Sequence, residues 1–190
     1  MRIIGGTSRG LHLAPVGAGD VAAHLRPTSD RVREAIFNLL INGGYGNPVA
    51  GARVLDLFAG TGALGLEALS RGAAHATFLE TGIPALALIK RNIALMRAEG
   101  RTTVLKRDAT SPGPGTPHGL VFLDPPYGKS LGHSALIAVA ANGWLAPDAL
   151  IVWEEGVPPA VPQGFDELDH RKYGDTVVTI LKVASQKAAS

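Results

Sequence analysis

Apolar residues along the chain follow two periods, which divide the sequence into predicted strands and helices. From residue 50 onward, short and nearly continuous apolar runs alternate with stretches in which apolar residues recur every three to four positions. The short runs predict strands, and the longer periodic stretches predict helices. The predicted strands cover residues 53–58, 76–80, 103–106, 120–124, 150–154 and 176–183, and the predicted helices cover residues 63–71, 84–99 and 134–142.

This alternation predicts an α/β fold. Strands that are apolar at nearly every position are buried on both faces, which is typical of a parallel sheet covered by helices on each side. The first three strands and the two helices between them form a βαβαβ unit in sequence order. In open sheets of this kind, ligands bind at the carboxyl ends of the strands, so candidate functional residues are expected there.

The first 49 residues have a different pattern and predict an arm that precedes this body. Apolar runs at residues 3–4 and 11–13 flank a glycine-rich segment, which suits a small hairpin. Residues 28–30 supply candidate caps for a helix whose apolar positions recur until residues 42–44, where Asn-Gly-Gly ends it. The predicted division is an arm (residues 1–49), a ligand-binding body (residues 50–185) and a short tail (residues 186–190).

Composition narrows the possible classes of protein. A chain of 190 residues with 46% apolar residues can bury a core without disulfides or a structural metal. The absence of Cys excludes a disulfide scaffold, a zinc finger and a thiol nucleophile, and the six His residues show no metal-ligand spacing. The longest apolar run, residues 135–141, falls short of the roughly 18 to 20 residues that span a bilayer, and the N-terminus lacks the apolar block of a secretory signal. A cytoplasmic protein without a metal or a membrane partner is expected.

Charge is weakly positive overall but unevenly distributed. The formal net charge is only +2, which does not by itself indicate a polyanionic partner. Residues 1–35 nevertheless hold five Arg against three acidic residues, and residues 86–107 hold six Lys and Arg against one Glu. Two such zones are consistent with nucleic-acid binding and equally with ordinary solvated helix faces.

A glycine-rich turn follows the first strand of the body. Gly60, Gly62 and Gly65 follow the G-x-G-x-x-G spacing, in which glycine lets the backbone turn tightly and a ligand approach closely. Glu80 lies twenty residues after Gly60 at the end of the next strand, where a carboxylate accepts both ribose hydroxyls. The pattern fits a dinucleotide or S-adenosylmethionine (AdoMet). Asp56 favours AdoMet, because a carboxylate here repels a pyrophosphate and attracts ammonium and sulfonium groups.

The fourth strand ends in Asp124-Pro125-Pro126-Tyr127. An exocyclic amine on a nucleobase is a poor nucleophile, because its lone pair is delocalised into the ring. The Asp124 carboxylate and the Pro125 carbonyl can accept its two N–H bonds and hold the nitrogen toward a methyl donor, with the prolines fixing the direction of the carbonyl. Tyr127 can stack on the base. This strand end therefore indicates methyl transfer to a planar amine, achieved mostly by positioning.

These residues carry a resemblance to a known group of enzymes. The combination Asp56-x-Phe58-x-Gly60-x-Gly62 with the Asp-Pro-Pro-Tyr strand end looks like the class I, Rossmann-like AdoMet-dependent methyltransferases that act on exocyclic amino groups. More narrowly, the sequences of three segments resemble the RsmD type, the bacterial small-subunit (16S) ribosomal RNA guanine-N2 methyltransferases. Those segments are residues 2–6, 25–34 and 62–72, and the likeness extends to residues 142–145 and 173–176.

The resemblance implies a seven-stranded, mostly parallel sheet, AdoMet as the methyl donor and a guanine of 16S rRNA within the small ribosomal subunit as the substrate. A monomer is expected, with the arm facing the RNA. Gly82 departs from the pattern, since such enzymes usually carry a polar or acidic residue at that position. The candidate catalytic residues are Asp124, Pro125, Pro126 and Tyr127; the candidate cofactor-binding residues are Asp56, Phe58, Gly60, Gly62, Glu80 and Asp108; and the candidate RNA-binding residues are Arg2, Arg9, Arg26, Arg31, Arg33 and Lys129.

Several alternatives stay open from the sequence. The same strand end serves an adenine amine in DNA or a glutamine amide in protein, and only the arm argues for RNA. The glycine spacing also fits an NAD-linked oxidoreductase. A non-catalytic ribosome-assembly factor with the same fold is a further possibility, although Asp124 and Tyr127 argue against it. For Asp108, a turn-forming role is the alternative to an adenine contact.

Overall fold

The structure, a computed structural model, describes residues 1–15 and 28–185, and these residues form one sheet flanked by helices. The bounds of the strands and helices follow the apolar pattern of the sequence closely in the first half of the body. In chain order the elements are α1 (Asp30–Asn42), β1 (Arg53–Leu57), α2 (Ala63–Ser70), β2 (His75–Glu80), α3 (Ile83–Met96), β3 (Thr102–Lys106), β4 (His118–Leu123), α4 (Leu131–Ala141), β5 (Leu145–Glu155), β6 (Phe165–Tyr173) and β7 (Thr176–Val183).

The strands are arranged in the order β3-β2-β1-β4-β5-β7-β6. The first five strands are parallel to one another, and β7 runs antiparallel to both β5 and β6. The expected seven-stranded, mostly parallel sheet is therefore confirmed. Strand order reverses at β1, which lies between β2 and β4, and such a reversal leaves a crevice at the carboxyl ends of the strands.

Residues alternate along the strands between the two faces of the sheet. Val54 and Phe122 face one core, which also contains apolar residues of α1, α2 and α3. Leu55 and Leu57 face a second core, to which α4 contributes. Burial on both faces explains why these strands are apolar at nearly every position, and it confirms the prediction of helices on both sides.

The N-terminal hairpin is bound to the body through α2. The amide of Ile3 donates to the carbonyl of Leu11 at 2.9 Å and closes the hairpin. The buried carboxylate of Glu67 accepts one hydrogen bond from the amide of Ile4 and one from the amide of Gly5, each at 2.8 Å. Ile3 and Leu13 are buried in the same core as the first face of the sheet. The arm and the body therefore share one hydrophobic core across the predicted boundary at residue 49.

Several observed elements differ from the predicted ones. The helix predicted to reach residue 99 ends at Met96, because Arg97 adopts a left-handed conformation with φ 52°. Strand β5 begins five residues earlier than predicted. Strand β6 was not predicted from the pattern, because it is an exposed edge strand with charged residues at most positions. Residues 16–27 and 186–190 lie outside the described part of the chain. Within the described part, no helix has the length and apolar content needed to cross a membrane.

Candidate active site

The glycine-rich turn after β1 is built around the buried carboxylate of Asp56. Its side chain is 2% exposed, and Oδ2 accepts a hydrogen bond from the amide of Gly65 at 2.9 Å. A Cβ at Gly65 would lie 2.5 Å from the Phe78 ring and 3.1 Å from that oxygen, so only glycine fits. Burial raises the pKa of Asp56 well above its usual value, and the charges of Asp124 and Glu80 raise this pKa further against the amide hydrogen bond.

The turn itself uses left-handed backbone conformations at three of the predicted cofactor residues. Gly60 has φ 56°, Phe58 has φ 57°, and Gly62, the N-cap residue of α2, has φ 75°. This conformation is strained for a bulky residue, and such strain is concentrated at functional sites. The structure places Phe58, Gly60 and Gly62 on one tight turn after the strand of Asp56, and their contact with a cofactor stays a prediction.

Glu80, at the end of β2, binds the glycine-rich turn. Its Oε2 accepts from the amide of Gly60 at 2.9 Å, while Oε1 accepts from the amides of Thr81 and Gly82 at 2.8 Å each. A carboxylate offers about four acceptor sites, so these bonds leave capacity for a hydroxyl ligand. Glu80 therefore shapes the turn, and its contact with a ribose stays a prediction.

Asp108 lies beyond the end of β3 and is exposed. Its Oδ1 accepts from the amide of Thr110 at 2.8 Å and from the Thr110 hydroxyl at 2.7 Å. These bonds are those of a turn-forming Asp, the alternative considered from the sequence. A contact between Asp108 and adenine stays a prediction.

Asp124 follows β4 and shares a hydroxyl with a second acid, Glu154 of β5. The Thr28 Oγ1 lies 3.3 Å from Asp124 Oδ2 and 3.1 Å from Glu154 Oε1. Burial, the largest cause, and the charge of Glu155 raise the pKa of Asp124 to about 7, whereas the hydrogen bond from Thr28 lowers it. Burial and the charge of Asp124 raise the pKa of Glu154 well above its usual value.

Sequence reasoning missed Thr28 and Glu154 as site residues. Thr28 was considered only as a helix cap, but the structure assigns the cap to Ser29, whose side chain accepts from the amide of Val32. The available signal for Glu154 was its position at the end of an apolar strand next to the strand of Asp124. Leu123 pairs with Trp153, which brings the two following residues side by side.

The remainder of the Asp-Pro-Pro-Tyr strand end presents an aromatic ring beside Asp124. Pro125 is buried and Pro126 is exposed. Tyr127 is 45% exposed, and its hydroxyl forms a 3.2 Å hydrogen bond with Thr176 Oγ1. Burial, together with the charges of the nearby carboxylates, raises the pKa of Tyr127 to about 12. The ring is therefore uncharged at neutral pH and partly open to a stacking partner.

Four of the candidate RNA-binding side chains are exposed in the structure. Arg2, Arg9, Arg31 and Lys129 all reach solvent. Arg2 also lies 3.6 Å from the carboxylate of Asp30. Arg26 lies outside the described residues.

The assignment of Arg33 to RNA binding is wrong. Arg33 is 0% exposed, because it lies on the buried face of α1 rather than on the outer edge. Its guanidinium donates to Asp30 Oδ1 at 2.9 Å and to the Thr28 carbonyl at 3.3 Å, and its Nε lies 3.6 Å from Glu67 Oε2. This arginine joins α1, α2 and Thr28, and no surface remains for a phosphate.

The crevice beside β1 has the charge expected for a cationic ligand. Asp56, Glu80 and Asp124 come from the ends of three adjacent strands. The two charged groups that raise the pKa of Asp56 are the carboxylates of Asp124 and Glu80. Such a donor set suits the ammonium and sulfonium groups of AdoMet and repels a pyrophosphate. Within residues 1–15 and 28–185, no group of His, Asp or Glu is arranged to hold a metal ion.

Comparisons with known proteins show the family to which the chain belongs. Residues 1–182 match the sequence model of a family described as "Conserved hypothetical protein 95". The "Ribosomal RNA small subunit methyltransferase D" of Escherichia coli (strain K12) is 43% identical over 165 residues, which cover 85% of this chain and 78% of that protein. Its namesake from Haemophilus influenzae (strain ATCC 51907 / DSM 11121 / KW20 / Rd) is 35% identical over 181 residues, covering 92% of this chain and 89% of that protein.

A solved structure of the Escherichia coli protein yhhF extends the similarity to the fold. It superposes with a TM-score of 0.82 at 39% identity, covering 98% of this chain and 99% of that chain. The resemblance expected from the sequence is thereby confirmed, together with the Rossmann-like fold of class I methyltransferases. The chain belongs to the family of RsmD-type methyltransferases and is a methyltransferase.

Proposed function

We propose that the protein transfers a methyl group from AdoMet to the exocyclic N2 amine of a guanine in the 16S rRNA of the small ribosomal subunit. The observation that carries this proposal is the position of the Asp124–Tyr127 strand end beside the glycine-rich turn. Strands β1 and β4 pair in register up to Leu57 and Leu123, so the two segments leave the sheet next to each other. The names of the relatives in Escherichia coli and Haemophilus influenzae support a small-subunit RNA as the substrate.

The residues around β1 are proposed to hold AdoMet, which supplies an electrophilic methyl group on a positively charged sulfur. Asp56 and Glu80 offer carboxylate oxygens to the cationic and hydroxyl groups of the ligand. The turn from Phe58 to Gly62 supplies backbone at the start of α2. Asp56 is buried and bonded to Gly65, so its contribution is a fixed turn rather than a mobile contact.

The Asp-Pro-Pro-Tyr strand end is proposed to orient the guanine amine. The Asp124 carboxylate accepts one N–H bond and the Pro125 carbonyl accepts the other, which directs the nitrogen lone pair out of the base plane. Once methylated, the nitrogen must lose one proton. Asp124, whose pKa is raised to about 7, is suited to take that proton at its carboxylate oxygen.

Tyr127 and the arm complete the proposed substrate site. The exposed ring of Tyr127 stacks on the guanine, an interaction worth about 1–3 kcal/mol. The exposed Arg2, Arg9, Arg31 and Lys129, with Arg26, face the RNA backbone. We further propose that the protein acts in the cytoplasm as a monomer, without a metal ion, on subunits rather than on free RNA.

The proposal is tested by methyl transfer from labelled AdoMet to small ribosomal subunits purified from a strain that lacks the enzyme. Transfer to subunits, with the label on guanine N2 in a nuclease digest, is the expected result. Protein-free rRNA, adenine-containing DNA and protein substrates serve as parallel acceptors. Label on a DNA adenine or on a glutamine amide would replace the proposed substrate, and binding of NAD instead of AdoMet in equilibrium dialysis would replace the proposed chemistry.

The catalytic role of Asp124 is tested by Asp124→Ala. We expect methyl transfer to fall at least about a hundredfold, because the amine loses its charged acceptor. Binding of AdoMet, measured by titration calorimetry, should change little. Asp166→Ala, which removes an exposed carboxylate on β6, is the matched control and should retain full activity. Equal loss of binding and transfer in Asp124→Ala would show that the residue supports the cofactor site instead.

A further inference from the structure

Two carboxyl groups, those of Asp124 and Glu154, meet at the hydroxyl of Thr28 beside the proposed amine site. Thr28 Oγ1 lies 3.1 Å and 3.3 Å from the two oxygens of Glu154, and 3.3 Å from Asp124 Oδ2. Glu154 is 2% exposed, and Asp124 is partly buried. The hydroxyl is the one hydrogen-bond donor to the Glu154 carboxyl among the residues that the structure describes.

The number of hydrogens in this cluster constrains its protonation. A threonine hydroxyl has one hydrogen to donate and two lone pairs that accept. It can therefore donate to only one of the two carboxyl groups. If both acids were ionised, the second carboxylate would face the hydroxyl oxygen without a hydrogen between them. A single proton on one acid removes this conflict, because that acid then donates to Thr28 while Thr28 donates to the other.

Burial decides which acid holds the proton. Glu154 is enclosed, and a buried carboxylate with a single shared donor is costly to ionise. Asp124 is only partly buried, and in the proposed reaction the substrate amine offers it further donors. Burial also raises the pKa of both acids.

We propose that Glu154 and Thr28 are positioning residues for Asp124, in which a protonated Glu154 donates to Thr28 Oγ1 and Thr28 donates to Asp124 Oδ2. The arrangement keeps Asp124 anionic and fixes one of its oxygens, so that the other oxygen is directed to the amine. The inference rests on the proposed methyl transfer to a planar amine and deepens it. It assigns a role to an acid of β5 that does not contact the substrate.

The position of Thr28 is fixed by the arm. Its carbonyl accepts from the Arg33 guanidinium at 3.3 Å, and Arg33 is bound in turn to Asp30 and lies close to the buried Glu67. The hydroxyl is thus placed by α1 and α2, whereas the two acids belong to β4 and β5. The docked arm and the charge state of Asp124 are therefore linked.

The charged groups around the two acids set the expected pH dependence. Glu154 faces Asp124 and Asp56, which favour its protonated form, and Arg33, which opposes it. The charge of Glu155 raises the pKa of Asp124, and the hydrogen bond from Thr28 lowers it. Activity should rise with pH as Asp124 loses its proton near its pKa of about 7, and it should fall again when Glu154 ionises at higher pH.

Glu154→Gln and Glu155→Gln form a matched pair for this test. The side-chain amide introduced by Glu154→Gln can still donate to Thr28, so this variant should leave the midpoint of the acid limb of kcat/KM unchanged and move the alkaline limb to higher pH. Glu155→Gln removes a neighbouring charge from Asp124, so it should move the acid limb to lower pH. If Glu154→Gln also moves the acid limb to lower pH, Glu154 is the ionised partner and the proposal is overturned.

Thr28 is tested by a variant that removes the hydroxyl and one that keeps it. Thr28→Val should lower kcat about tenfold or more with little change in AdoMet affinity, since Asp124 loses a charge-assisted hydrogen bond. Thr28→Ser should restore activity to within about threefold of the native enzyme. Equal activity of the Val and Ser variants would overturn the role of the hydroxyl.

Infrared spectroscopy locates the proton independently of catalysis. At a pH one unit above the midpoint of the Asp124 titration, the native protein should show the carbonyl band of an undissociated carboxylic acid. A protonated Asp56 gives a band of the same kind in every variant, so the band of Glu154 is read from the difference between the native and Glu154→Gln spectra. The same difference taken for Glu155→Gln should contain no such band. Absence of the band from the native-minus-Glu154→Gln difference would overturn the assignment. The band is measured without substrate, so a failure of the proposed methyl transfer is distinguishable from a failure of this inference.

Discussion

At the scale of single residues, the candidate site depends on side chains whose environment is set by strands far apart in the sequence. Asp56 and Asp124 could be identified from the sequence because each lies at the end of a strongly apolar strand. Arg33 was misassigned and Glu154 was missed for the same physical reason. A buried charged group is stabilised by partners that come together only in the folded chain. The partners of Arg33 are Asp30 and Glu67, and the partner of Glu154 is Thr28.

Tyr127 offers a prediction on substrate binding. Tyr127→Ala should lower kcat/KM for ribosomal subunits about tenfold, because the stacking surface for the base is lost. Tyr127→Phe keeps the ring and loses only the hydrogen bond to Thr176, so it should stay within about threefold of the native enzyme. Steady-state kinetics with varied subunit concentration distinguishes the two. A Phe variant as impaired as the Ala variant would indicate that the hydroxyl, and not the ring, is the functional group.

Gly65 offers a prediction on the turn that holds Asp56. Gly65→Ala places a methyl group against the Phe78 ring and the Asp56 carboxylate, so unfolding should need about 1–3 kcal/mol less free energy. AdoMet affinity should fall with it. Gly100→Ala is the control, because a Cβ there meets no atom within 4 Å. Thermal unfolding and calorimetry measure both effects, and an unchanged Gly65→Ala protein would refute the close packing.

At the scale of elements, the sequence predicted the strands that are buried on both faces and the helices that cover them. It did not predict β6, the strand that is exposed to solvent. Strands β1, β2 and β4 are apolar because both of their faces are covered. Within residues 1–15 and 28–185, strand β6 pairs only with β7 at the edge of the sheet, and charged residues occupy most of its positions. A pattern that follows burial cannot reveal a strand that is stabilised mainly by backbone hydrogen bonds to its neighbour.

Helix α2 joins the hairpin to α1 through one carboxylate, which gives a prediction on stability. Glu67 accepts from the amides of Ile4 and Gly5 and lies against Arg71 and Arg33. Glu67→Gln leaves two arginines without their buried anion, so the free energy of unfolding should fall by about 3–5 kcal/mol. Glu34→Gln on the exposed face of α1 should change it by less than about 0.5 kcal/mol. Urea titration compares the two variants, and a similar small loss in both would contradict the role of Glu67.

At the scale of the whole molecule, the arm and the sheet form one unit around an acidic crevice. The arm shares the first hydrophobic core, and Thr28 extends from it to the ends of β4 and β5. The sequence could predict the crevice, because strand order and motif positions define it. The resemblance implied that the arm faces the RNA and helps close the site, but the contacts of Thr28 with Asp124 and Glu154 could not be predicted, since they span 96 and 126 residues of sequence.

The raised pKa values of the crevice predict how stability depends on pH. A carboxyl whose pKa is higher in the folded than in the unfolded state binds more protons when folded, so stability falls as pH rises between the two values. For Asp124 this interval runs from 3.8 to about 7. Asp124→Asn should therefore raise the free energy of unfolding by about 1–2 kcal/mol at neutral pH. This gain in stability should vanish as the pH falls toward the lower end of that interval. Urea titrations across this range measure the difference, and a gain independent of pH would contradict the assigned shift.

The charged outer strand of the sheet has a further consequence for behaviour at high concentration. In β6, the side chains of Asp166, Glu167, Arg171 and Lys172 are exposed along the free edge. An unprotected edge would offer its backbone groups to the edge of another molecule and promote aggregation. Charged side chains along this border make intermolecular strand pairing unfavourable, so the enzyme can expose an open sheet edge and still resist polymerisation.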